Sequence, residues 1–124
     1  MAINLKEPSD TLFSDIAEKW AKEIAEAGKP RKNRSTQLRG FYDEILNWEL
    51  RSRQMNEQQF KESIPLIKML IAKVTYAQGR EYVTKEYVDL MRECIAQVNT
   101  RTTLRNCKLF FEAFMGFYKV YGPK

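Results

Sequence analysis

The sequence predicts an all-α fold, a compact bundle of about five helices forming a single domain over 1–124. Three observations predict it. Apolar residues recur at three- and four-residue spacing through most of the chain, which is the period of an α-helix. Only four prolines and five glycines interrupt 124 residues, so helices can run long. Residues that cap helices stand where each periodic stretch begins. A hydrophobic share of 44% with 12% aromatics suffices for a core that needs no metal or disulfide staple.

Residues 1–9 read as an N-terminal tail. Asp10 or Thr11 caps a first helix to Ala27, with Leu12, Phe13, Ile16, Ala17, Trp20, Ala21 and Ile24 on one half of its wheel and Gly28 as its stop. Residues 29–34 form a basic loop, Lys29-Pro30-Arg31-Lys32-Asn33-Arg34, too charged and too short to be structured by itself. Ser35 is the expected N-cap of a second helix to about Gln54, with Leu38, Phe41, Tyr42, Ile45, Leu46 and Trp48 inward.

Asn56-Glu57-Gln58-Gln59 is a cap signature opening a short helix to about Ser63, and Pro65 is expected to force a break or a fresh first turn. The stretch Leu66 to Arg80 follows, apolar around most of its circumference and free of acids. Such a helix belongs inside a bundle, and it is expected to be the packing axis. Leu66, Ile67, Leu70, Ile71, Val74 and Ala77 form its core arc, while Lys73, Tyr76 and Arg80 share a flank. Thr84 caps a fourth helix through about Val98, and Thr102 or Thr103 caps a fifth from Leu104 to Tyr121. The fifth has a narrow polar stripe of Arg105, Lys108, Glu112 and Lys119. Its aromatic surface fits either a second central helix or a contact face for a partner.

Charge is segregated along the chain. Residues 29–39 hold Lys29, Arg31, Lys32, Arg34 and Arg39 with no anion, and 66–80 hold Lys68, Lys73 and Arg80 with none, so the rest of the net +5 chain sums to −3. Segregated cations beside a helix N-terminus favour phosphate, because orphan N–H groups and the helix dipole act together there. The bland readings stand beside this one. Asp43 could pair with Arg39, Lys68 could pair with an acid inside the bundle, and acids on neighbouring helices could take Lys73 and Arg80.

Catalytic chemistry has little to work with. The chain has no histidine, which removes the commonest general base and the commonest nitrogen ligand of zinc. No phosphate-cradling GxxxxGK[ST] or GxGxxG pattern occurs. Cys94 and Cys107 fall on apolar arcs, as small hydrophobes do. The expectation is no enzyme, no catalytic or metal-binding residue and no cofactor. No run approaches the roughly 18–20 apolar residues of a membrane span, and the N-terminus lacks a secretory pattern. A cytoplasmic protein without membrane contact is expected.

Three motifs carry a resemblance. They are Ser35-Thr36-Gln37-Leu38-Arg39-xx-Tyr42, the run Leu66-Ile67-Lys68-Met69-Leu70-xx-Lys73-xx-Tyr76-Ala77-xx-Gly79-Arg80, and Phe111-Glu112-Ala113-Phe114-xxx-Tyr118-Lys119. In this order and spacing the chain, from about Ser35 to Tyr121, resembles the small subunit of type III-A CRISPR effector complexes, the Csm complexes. The resemblance implies a compact helical subunit with no catalytic activity. It implies several copies in a row along guide RNA and target RNA, beside the repeated backbone subunit, in a ribonucleoprotein of antiviral defense. It implies RNA-binding by the backbone at Ser35, Gln37, Arg39, Lys73, Arg80 and Lys119. Arg31, Lys32 and Arg34 are added from charge alone.

The reading that follows is a non-catalytic RNA-binding structural subunit contacting RNA without sequence specificity. The alternative is a helical protein-interaction adaptor using its aromatic C-terminal helix. A helix-turn-helix DNA binder fits less well, because the most basic helix has few polar side chains free to read bases.

Overall fold

The computed structural model describes residues 3–123. Five helices pack around one core: α1 (Ala17–Ala27, preceded by a π-helical turn at Leu12–Ile16), α2 (Ser35–Ser52), α3 (Glu57–Gly79), α4 (Lys85–Ala96) and α5 (Arg101–Tyr121). The all-α expectation holds, and no strand occurs among the described residues.

The packing axis is α5, not the stretch from Leu66. α5 lies against α1, α2 and the π-helical turn, whereas α3 packs mainly on α4 and, less, on α2. Phe110, Phe111, Phe114 and Tyr118 are fully buried, and Phe117 and Tyr121 are half-buried against the core. The aromatic face of α5 is therefore core. Its rings continue into the other helices: Phe41 of α2 meets Tyr87 of α4 at 6.0 Å, Tyr87 meets Phe114 at 6.4 Å, and Phe114 stacks on Tyr118 at 5.4 Å.

α3 is an ordinary amphipathic helix with an unusually apolar outside. Its buried positions are Phe60, Ser63, Ile67, Leu70, Val74 and Ala77, one stripe at three- and four-residue intervals. Ile71 is half-buried, and Leu66, expected in the core, is exposed together with Met69 and Tyr76. Pro65 lies inside α3 and does not break it. Pro65 and Lys61 both sit on the solvent face, where water can satisfy the carbonyl that the missing N–H leaves open. The Asn56 cap forms as expected, with its side chain and that of Gln59 exchanging bonds with each other's backbone.

Other boundaries moved for identifiable reasons. Thr100, rather than Thr102 or Thr103, caps α5, because the reciprocal box needs its partner three residues on, and Thr103 supplies it. Thr84 occupies the expected cap position of α4, but its Oγ1 accepts a bond from Asn33 instead of capping. Arg34, not Ser35, is the N-cap of α2, and no side chain caps that terminus. The N-terminal segment is docked: Ile3 and Leu5 are buried, with their amides bonded to Glu93 and Gln97, and Asn106 bonded to the Leu5 carbonyl.

The basic loop is organised by Asn33, which is buried with a left-handed φ of 56°, a conformation that asparagine tolerates better than most residues. Its Nδ2 donates to the Ile24 carbonyl (3.0 Å) and to Thr84 Oγ1 (2.9 Å), and its Oδ1 accepts from the Thr84 amide (2.9 Å). Its own amide donates to the Tyr82 carbonyl (3.0 Å), and its carbonyl accepts from the Tyr118 hydroxyl (2.6 Å). Gly28 lets the loop close, since a Cβ there would come within 2.7 Å of the Asn33 Cβ.

Asn33→Ala should lower stability by about 2–4 kcal/mol, because it removes three side-chain hydrogen bonds and leaves alanine in a left-handed conformation. Urea denaturation measures this, and Asn33→Gly, free of the φ penalty, should be less destabilised. Burial raises the Tyr118 hydroxyl from 10.0 to about 12. Its folded pKa lies above the unfolded one, so its contribution is complete below pH 10 and is lost as pH rises through 12. Tyr118→Phe should flatten that alkaline loss of stability in melts across the window.

Candidate nucleic-acid interface

The nine site residues expected from the sequence do not form one cluster, and those on α2 divide between its sides. An open groove of about 550 Å³ between α2 and α5 is lined by Ser35, Arg39, Met115, Lys119 and Pro123. Three of the expected residues, Ser35, Arg39 and Lys119, thus come together from positions far apart in the chain. On the other side a shallower depression is lined by Thr36, Gln37, Gly40, Phe41 and Glu44. Gln37 therefore does not join Ser35 and Arg39, as a helical period requires: residues two positions apart point about 200° from each other.

Lys73 belongs to this second side, and it is not free. Its Nζ bonds Glu44 Oε1 at 2.7 Å, so the pairing with an acid of a neighbouring helix is realised here. With both partners partly exposed, the pair is weak and salt-sensitive. Lys68 does not reach an acid but donates to the Ala96 carbonyl at the end of α4 (3.0 Å), where the helix dipole favours a cation. Arg39 does not pair with Asp43, and among the described residues Arg31, Arg34, Arg39, Arg80 and Lys119 have no carboxylate partner. Being unpaired does not single them out, since Lys19, Lys61 and Arg92 are unpaired as well. Being gathered does.

Asn33 does the gathering. Its bonds to Tyr82 and Thr84 hold the loop 31–34 against the turn after α3, so the first basic window meets the Arg80 end of the second. Lys32 lies 3.9 Å from Glu81 across this contact, and both are exposed. Arg31, Lys32 and Arg34 are all exposed. Arg80 ends α3 in a reversal with a Glu81-to-Gln78 bond of 2.9 Å and a Tyr82-to-Ala77 bond of 3.0 Å. The left-handed residue of this turn is Glu81 (φ 64°), not Gly79. Two neighbours were missed by sequence reasoning: Tyr82, which approaches Arg80, and Asn33. The one signal for Asn33 was an asparagine in a turn-like basic run, which does not reveal distant partners.

The two thiols are out of reach of solvent. Cys94 and Cys107 are fully buried, and burial pushes the Cys94 thiol well above 9.0 and the Cys107 thiol to about 12. No group of metal-ligating side chains gathers among the described residues, and no helix there is long and apolar enough to cross a membrane. A thiol reagent near pH 8 should label neither cysteine in the folded protein and both in denaturant, as mass spectrometry would report.

Neither the curated proteins nor the solved structures give a match to the chain. The family described as Csm2 Type III-A does, over residues 7–124. That span includes α1 and the turn before it, which carried little of the sequence resemblance. With nearly the whole length matched, the chain belongs to the Csm2 Type III-A family, the structural small subunit of type III-A CRISPR Csm complexes.

Proposed function

We propose that the chain is a non-catalytic, RNA-binding subunit that holds guide RNA and target RNA by their phosphates, without reading sequence. The observation that carries this is the joint at Asn33, which sets the acid-free basic loop before the uncapped N-terminus of α2 against the turn that follows Arg80. Arg31, Lys32, Arg34, Ser35, Arg39 and Lys119 form the principal contact surface. Arg80 extends it, and Gln37 borders it. Lys73 contributes least, because a phosphate must compete with Glu44 for it. Ser35 supplies a hydroxyl and a first-turn amide rather than charge.

The surface suits a polyanion better than a small ligand. It is broad and open, and its cations have their heads in solvent, where they act on backbone charge and release counterions. Contact with other subunits of the complex, including the repeated backbone subunit and neighbouring copies, is assigned to the exposed apolar outside of α3, where Leu66 and Met69 lack cover from their own chain. The adaptor reading through the aromatic face of α5 has less surface to use, because Phe110, Phe111, Phe114 and Tyr118 fill the core and Phe117 and Tyr121 are half-buried. Within a cytoplasmic ribonucleoprotein, copies in a row would add their individually modest affinities.

Filter binding tests the assignment. RNAs of equal length and unrelated sequence should bind alike, and a combined Arg34→Ala, Arg39→Ala and Lys119→Ala variant should bind at least about tenfold more weakly. Its log–log salt slope should fall by about 0.7 for each single-strand phosphate that the variant no longer neutralises. Lys73→Ala should stay within about twofold of the parent, the scale of an exposed pair. Equal binding by the triple variant would remove the assignment.

A further inference from the structure

We propose that Tyr76, Arg80 and Tyr82 form a stacking site for an unpaired RNA base, so that the chain distinguishes single-stranded RNA from duplex. This rests on the RNA-binding reading above and adds a contact with the base to those with the backbone. Tyr76 is 66% exposed and Tyr82 44%, against the strong tendency of a folded chain to cover its large rings. Arg80 gathers them: its Nη1 donates to the Tyr76 hydroxyl at 3.2 Å and its Nη2 to the Tyr82 hydroxyl at 3.4 Å. The same guanidinium lies 5.6 Å from the centre of the Tyr82 ring.

This arrangement restrains two exposed phenols at their hydroxyl ends and leaves ring surface open. Rings held beforehand lose less freedom when a base lands on them. Aromatic faces stack on any base, and a neighbouring arginine adds a cation contact and a reach to the adjoining phosphate. The backbone beneath is strained, since Glu81 takes the left-handed region that favours glycine, and such strain concentrates at functional segments. Tyr82 is also fixed to the basic loop through the Asn33 amide. A nucleotide on the rings would therefore have the basic loop on its flank, where Lys32 lies 3.9 Å from Glu81. A base inside a duplex offers no free face, so the site selects unpaired nucleotides.

Fluorescence anisotropy with three probes tests the proposal: a single-stranded oligoadenylate of roughly 12 nucleotides, the same strand paired, and an abasic ribose-phosphate chain of that length. The parent should prefer the oligoadenylate to the abasic chain. Tyr76→Leu with Tyr82→Leu should weaken oligoadenylate binding at least about tenfold, with duplex affinity, abasic affinity, salt slope, circular dichroism and Tm at parent values. Tyr76→Phe with Tyr82→Phe keeps the ring faces but loses the restraint from Arg80, and should bind more weakly than the parent and more tightly than the leucine pair. Parent-like oligoadenylate binding by the leucine pair, with weak binding by the Arg34, Arg39 and Lys119 variant, overturns the stacking site and leaves the phosphate surface standing. Failure of the parent to bind any probe overturns both. A leucine pair that keeps its RNA affinity but no longer associates with another subunit makes the rings a protein contact and also overturns the proposal.

Discussion

Five hydrogen bonds converge on Asn33, and the arrangement of the surface depends on them. They tie the loop after α1 to the end of α1, to the turn between α3 and α4, and to α5. Each partner is a backbone or hydroxyl group, and Asn33 itself is fully buried, so breaking the joint would leave its own polar groups without partners. Charged residues alone could not close this loop, because Arg31, Lys32 and Arg34 repel one another. One neutral residue among them turns inward and lets the cations turn outward.

A second constraint is the aromatic path from Phe41 through Tyr87 and Phe114 to Tyr118, which ends at the Asn33 carbonyl. The hydrophobic core and the polar joint therefore share a residue. Tyr118 stacks in the core with one end and bonds the loop with the other. Gly122 accommodates that ring closely, as a Cβ there would lie 2.5 Å from it. Loss of packing in α5 would thus reach the basic surface through a single side chain.

The fold class, the number of helices and most of their inward faces were legible, because helical periodicity and caps are local properties. Leu38, Phe41 and Ile45 of α2 and Val88, Met91 and Cys94 of α4 are buried as their spacing requires. Centrality was not local, and there the reading of Leu66–Arg80 as the axis failed. Apolar composition says how much a helix could bury, whereas the partners available decide how much it does, and α5 with its larger rings took the centre. The candidate site followed the same division. The charge windows were visible along the chain, but the docking of the basic loop required a residue whose partners lie 51 and 85 positions away. Lys73 looked equivalent to Arg80 on a wheel, and only the approach of Glu44 separates them.

The position of α5 in the chain order has a consequence for biosynthesis. Every other helix precedes it, and the docked segment at Ile3 and Leu5 depends on partners around Glu93, Gln97 and Asn106. As the chain leaves the ribosome, α1 and α2 emerge with apolar faces whose main cover does not yet exist. Their helices can form locally within microseconds, but the core waits for α5. The nascent protein must carry Leu12, Ile24, Leu38 and Ile45 without that cover until α5 emerges, which makes the interval before its emergence an aggregation-prone one.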